Sequence, residues 1–215
     1  MFETLMSKTF VILSASLVCA YAGCLYAQKI FNKMFEMQQF DKVKKYNFWA
    51  IFINIAVFIV LMFTRKIMPL NMVMMALFTL ASGFTLGLIT LVYGDTSQKA
   101  LGITALTTLA TGLIATYSGL DFAWLGKFLF IGLIILVIVA IINLFIRIKG
   151  NKFFAAFGVL IFTGYLLFDF NNLAKLKQVA SANNWETALD FAISIYLDIV
   201  NLFINLIQLI GSSNN

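Results

Sequence analysis

The sequence predicts an all-α membrane protein, a seven-transmembrane-helix bundle. Three observations carry that prediction. Of 215 residues, 62% are apolar and 11% charged, whereas water-soluble domains run about 45–50% apolar and about 25% charged. A chain of this size has no core large enough to bury the surplus, so lipid must solvate much of it. The apolar runs are about twenty residues long and do not alternate, which selects helices over a closed barrel. Proline occurs once, at Pro69, so long helices meet no break of that kind.

Taken in order, the spans are Thr9–Phe31, Phe48–Thr64, Leu70–Val92, Ala100–Leu120, Leu125–Ile146, Phe153–Asn171 and Ala188–Ile210. Together they make one domain over residues 1–215. The first run is too long for the apolar part of a signal peptide. Its flank is weakly basic and no small-residue cleavage pattern ends it, so it is counted as a span. The longest and most charged loop expected is Asn32–Asn47, with Lys33, Lys42, Lys44 and Lys45 against Glu36 and Asp41; Lys175–Thr187 is the other sizeable one.

The net charge of +6 is spread over short loops, so it suits the membrane surface and offers no basic domain for nucleic acid. Seven alternating spans put Lys8, Arg65, Lys66, Lys127, Lys175 and Lys177 on one side. Lys29, Lys33, Lys42, Lys44, Lys45, Lys99, Arg147, Lys149 and Lys152 fall on the other. The positive-inside rule then points to the first loop inside and the N-terminus outside. Histidine is absent, which argues against haem, most zinc sites and histidine-dependent nucleophiles. Cys19 and Cys24 lie on different faces of one helix, so a disulfide between them is not expected.

Polar residues inside a membrane are costly and therefore informative. In the last span Ser194, Asp198, Asn201, Asn205 and Gln208 recur at steps of four, three, four and three, which sets them on one stripe. That stripe must face protein or water, and enclosure by six other helices would supply this. A shorter stripe in the sixth span holds Tyr165, Asp169 and Asn172. The fourth span offers Thr104, Thr107, Thr108 and Thr111, residues that commonly bond back to their own helix. Gly83 and Gly87 have the small-xxx-small spacing of closely packed helices. Arg65, ending the second span, is the nearest cation for a buried carboxylate, although beside Lys66 it also fits an interfacial anchor.

Should Asp169 and Asp198 meet, two uses follow. Their hard oxygens suit calcium, or they share a proton and titrate as a unit, which makes a pH sensor. The uses are compatible, because protons and calcium compete for the same oxygens. An intramembrane aspartyl protease also pairs two aspartates. Its motifs need Tyr-Asp, Gly-x-Gly-Asp and Pro-Ala-Leu; here Asp169 follows Phe168, Asp198 follows Leu197, and the proline is Pro69. No enzyme activity is expected.

Several strings, in this order, carry a resemblance. They are Gly83-Phe-Thr-Leu-Gly87; Asp121-Phe-Ala-Trp-Leu-Gly126 with a span ending in Ile142-Asn143-Leu-Phe145; Phe168-Asp169; and Ile195-Tyr-Leu-Asp198-Ile-Val-Asn201-Leu-Phe203 through Gly211. The chain resembles the Bax inhibitor-1 family, also called the transmembrane Bax-inhibitor-motif or lifeguard family, and in particular its bacterial members. The resemblance implies a last helix wrapped by six others and a pH-sensitive calcium leak. The sensor would be the aspartate pair at Asp169 and Asp198, with an arginine of the second span, Arg65, as latch. The chain departs from bacterial members that carry a glutamate earlier in the second span: its strongly polar residue there is Asn54. The family reading places the N-terminus in the cytoplasm, against the charge count, and orientation stays open.

The expected function is therefore a calcium leak channel gated by Asp169 and Asp198, with the polar stripe at Ser194, Asn201, Asn205, Tyr165 and Asn172. Asp169 and Asp198 are also the expected calcium ligands. No cofactor is expected beyond calcium as permeant or bound ion. The expected partners are the lipid bilayer, calcium and protons, and no nucleic acid. The alternative is a membrane-embedded regulator that binds a protein partner such as a quality-control protease or a cell-death factor. A proton-coupled transporter has no internal repeat to support it. The absence of a targeting peptide and the bacterial-type resemblance point to a bacterial inner membrane.

Overall fold

The computed structural model describes residues 4–145, 151–176 and 179–212. Their regular structure is helical, with no strand among the described residues. The helices are α1 Leu5–Glu36, α2 Phe40–Thr64, α3 Leu70–Tyr117, α4 Leu125–Phe145, α5 Asn151–Leu176 and α6 Trp185–Gly211. All six are long and apolar enough to cross a membrane. Arg147, Lys149, Lys177 and the predicted span end at Ile146 lie outside the described residues.

Local chemistry explains the helix ends. Thr4 caps α1 in a reciprocal box: its Oγ1 accepts from the Ser7 N–H at 3.1 Å, while Ser7 Oγ accepts from the Thr4 N–H at 3.3 Å. Asn184 Oδ1 accepts from the Thr187 N–H at 2.8 Å and starts α6 ahead of its apolar run. Glu186 then sits in the first turn, where the helix dipole favours an anion.

Two loop expectations are corrected. The segment Asn32–Asn47 is mostly helix, because α1 continues through Glu36 and α2 begins at Phe40. Apolarity marks where lipid begins, whereas backbone hydrogen bonding carries a helix beyond it. The third and fourth expected spans fall within one 48-residue element, α3, whose interior contains the non-helical Gly94 at φ 43° and ψ −119°. Glycine tolerates that positive φ without a Cβ penalty.

The chain forms two compact units. In the first, Met1–Gly94 with Asn184–Ile193, α1 meets the first half of α3 backbone to backbone. A Cβ on Gly83 would collide with the Ala20 carbonyl, and one on Gly87 would lie 2.8 Å from the Cys24 oxygen. Cys24 Sγ, Gln28 Nε2 and Thr90 Oγ1 meet across this contact, at 3.4 Å and 2.9 Å from the threonine oxygen. Asn54 Nδ2 donates to the Phe78 carbonyl at 3.3 Å and ties α2 to α3. In the second unit, Asp95–Asn183 with Ser194–Asn215, α4 packs on α5. A Cβ on Gly126 would stand 2.9 Å from the Phe168 ring, and Gly112 faces Phe170. The threonines of α3 are back-bonded as expected for Thr104, Thr108 and Thr111, at 2.8–2.9 Å to the carbonyls four residues earlier.

Candidate functional site

Asp169 on α5 and Asp198 on α6 belong to the second unit, and their carboxylates stand within hydrogen-bonding reach of each other. Asp198 is 6% exposed; Asp169 is half-buried. One Asp198 oxygen, Oδ2, is buried without a hydrogen-bond partner. Tyr165, one turn before Asp169, lies near enough to feel both carboxylates. Two like charges so placed in a low-dielectric interior repel strongly unless a proton or a cation lies between them.

The polar stripe of α6 divides. Asp198 is buried and Asn201 and Asn205 are half-buried, whereas Ser194 and Gln208 are exposed. A cavity of about 510 Å³ opens beside the stripe, lined by Asn201, Asn205 and Gln208 of α6 with Asn143 of α4 among apolar neighbours. Asn201 Nδ2 donates to the Leu197 carbonyl and Asn205 Nδ2 to the Asn201 carbonyl, both at 2.8 Å. Each amide thereby spends an N–H on its own helix and keeps its carbonyl oxygen for other partners. Gly158 makes room for the Asn205 amide, whose Cγ lies 2.5 Å from where a Cβ would stand. Ser194 is outside that cavity lining, and Asn172 is half-buried on α5.

Arg65 forms an ion pair with Asp190, Nη1 to Oδ1 at 3.9 Å, within the first unit. Sequence reasoning missed Asp190, because no local spacing points to an arginine on another helix. Nearby on α6, the Trp185 ring receives the Lys8 ammonium at 5.8 Å from its centroid. A second missed residue is Asn171. It is buried, accepts from the Phe122 N–H at 3.1 Å and donates to the Leu120 and Ala115 carbonyls at 3.0 and 3.4 Å. The side chain thus fixes the α3–α4 loop. Two residues from Asp169 on a helix means the opposite face, which is why Asn171 turns to the loop while Asp169 turns to α6. Lys175, in the last turn of α5, hydrogen-bonds Asp121 of that loop and holds its carboxyl below the ordinary carboxylate range, aided by the Ala123 N–H.

Among the described residues, no group of three or more His, Cys, Asp or Glu side chains could hold a metal. Two carboxylates fall short of the six to eight oxygens of a resident calcium site.

The family model described as "Inhibitor of apoptosis-promoting Bax1" matches residues 3–215. An uncharacterized protein of Helicobacter pylori is 34% identical over 204 residues, covering 89% of this chain and 82% of its own. Bax inhibitor 1 of Schizosaccharomyces pombe is 29% identical over 213 residues, covering 97% and 76%. A Golgi anti-apoptotic protein of Vaccinia virus is 32% identical over 168 residues, covering 77% and 68%. With six membrane-length helices and a family match over nearly its full length, the chain is a multi-pass integral membrane protein that belongs to the Bax inhibitor-1 family.

Proposed function

We propose that the protein is a pH-sensitive calcium leak channel whose gate is the Asp169–Asp198 pair. The observation that carries this reading is the meeting of two carboxylates on neighbouring membrane helices, one of them 6% exposed. In the protonated state the two groups share a hydrogen and hold α5 against α6. When both ionise at higher pH, repulsion loosens that contact, and a divalent cation passing by relieves the repulsion. The Asn201 and Asn205 carbonyls begin one turn further along α6 and offer the ion replacement oxygens. Arg65 acts as latch through Asp190, about two turns before Asp198 on the same helix.

The reading includes seven spans. A continuous helix of 48 residues at about 1.5 Å per residue would be about 72 Å long, more than twice the ~30 Å hydrocarbon layer. The reading divides this element into two spans at the non-helical Gly94. The reading also takes the C-terminal helix as the central one, in keeping with the 44% of its apolar window that is buried, against 39% for α3 and 6% for α2. The membrane proposed is a bacterial inner membrane, on the strength of bacterial relatives.

The test is calcium flux into proteoliposomes across about pH 5 to 8, for the wild type and Asp198→Asn. A leak that rises with pH in the wild type and becomes flat in the variant supports the gate. Flux indistinguishable from empty liposomes at every pH sinks it. The relatives' names, Bax inhibitor 1 and Golgi anti-apoptotic protein, favour a second reading, a membrane-embedded regulator that binds a cell-death factor. It predicts that biological function survives Asp198→Asn and that crosslinkers placed between Lys33 and Lys45 capture one defined protein.

A further inference from the structure

The first unit contains a second cavity, of about 520 Å³, between α1, α2 and the first half of α3. Its volume lies within the roughly 300–1,000 Å³ of small-ligand sites. It exists because the side chains turned toward it are small, at Ala22, Ala50 and Ala81. Tyr26 and Phe84 bound it, with ring centroids 6.2 Å apart. The cavity is open to the side, on helices whose outer faces carry exposed apolar residues, and α2 is 6% buried over its apolar window. Lipid therefore reaches it directly.

One end is different. Lys45, Tyr46 and Trp49 complete the lining there. Lys42, Lys45, Trp49 and Ile53 follow at steps of three, four and four, so Lys42 continues the same face of α2 beyond the cavity. Lys44 is paired with Asp41 at 3.8 Å, but Lys42 and Lys45 have no carboxylate partner among the described residues. Tyrosine and tryptophan beside lysine is the composition of a headgroup-level belt. The cavity thus offers an apolar trough that ends in uncompensated positive charge at membrane-surface depth.

We infer that this cavity is a binding site for an anionic glycerophospholipid, with an acyl chain along Ala22, Ala50 and Ala81 and the phosphate between Lys42 and Lys45. A zwitterionic lipid fits the trough equally well, but its own cation opposes the lysines. Each basic residue near an anionic headgroup favours it by about fivefold. The inference is independent of ion permeation.

The experiment uses full-length protein with Trp49 as its single tryptophan (Trp124→Phe, Trp185→Phe), reconstituted in mixed vesicles. Chain-brominated phosphatidylglycerol and chain-brominated phosphatidylcholine are compared as quenchers of Trp49. Half-maximal quenching is expected at a mole fraction about fivefold or more lower for the phosphatidylglycerol. Lys45→Gln with Lys42→Gln should erase that difference, and so should high salt. Ala81→Leu should weaken quenching by both lipids. Equal quenching by the two lipids in the unmodified site overturns the inference, and leaves ordinary solvating lipid. A preference that survives the double lysine substitution overturns it too. Both lysines are exposed, so those variants remain informative if Ala81→Leu fails to fold.

Discussion

Arg65 at the end of α2 and Asp190 in the second turn of α6 form an ion pair 3.9 Å long, and both side chains are 47% exposed. A pair so open to solvent contributes little to stability, about 0–1 kcal/mol. Arg65→Gln and Asp190→Asn should therefore unfold within a few degrees of the wild type by scanning calorimetry. Their effect should appear as raised basal calcium flux if the pair latches α6. The double charge swap, Arg65→Asp with Asp190→Arg, should restore the low flux. Unchanged flux in both single variants removes the latch.

Asp169 and Asp198 are expected to act as one titrating unit. Asp169→Asn and Asp198→Asn should each flatten the pH profile of flux, and the double variant should do no more than either single one. Additive losses in stopped-flow flux assays argue for two independent groups.

Gly83 packs against the Ala20 backbone, so any side chain there pushes α1 from α3. Gly83→Leu should destabilise the protein by about 1–3 kcal/mol or prevent folding. The shift of the unfolding midpoint in detergent measures it, with Gly102→Leu as control, because nothing lies within 4 Å of a Cβ at that position.

Asn171 makes three hydrogen bonds to the backbone around the α3–α4 loop. Asn171→Ala leaves partly buried backbone groups without partners, at about 1–3 kcal/mol for each one that water cannot reach. Faster amide exchange at Leu120–Ala123 should accompany a lower unfolding midpoint. Asn172→Ala is expected to leave that exchange unchanged.

The Asp121–Lys175 pair lies outside the spans. Because Lys175 depresses the Asp121 carboxyl in the folded state, the stabilisation is present above the unfolded value of about 3.9 and is lost as pH falls through the lower folded value. The Asp121 carboxyl therefore stays charged between about pH 5 and 8 and adds nothing to a pH response there. Carboxyl NMR should find Asp121 titrating higher in Lys175→Met, while the pH profile of calcium flux keeps its shape.

Composition alone determined that this chain lives in a membrane as helices, because 62% apolar residues in runs of about twenty have no other solvent and no other way to satisfy their amides. The 3.6-residue period was enough to place Asp198, Asn201 and Asn205 on one stripe, and Gly83 and Gly87 on one seam. Family resemblance supplied the pairing of Asp169 with Asp198 as an expectation. What stands opposite a stripe is a property of neighbouring helices, so only the tertiary structure set Asn201 and Asn205 on a cavity wall and left Ser194 exposed. The same reason hid Asp190 and Asn171. One meets an arginine more than a hundred residues away and the other a loop some fifty residues away, and no local spacing encodes contacts closed by the packing of distant segments.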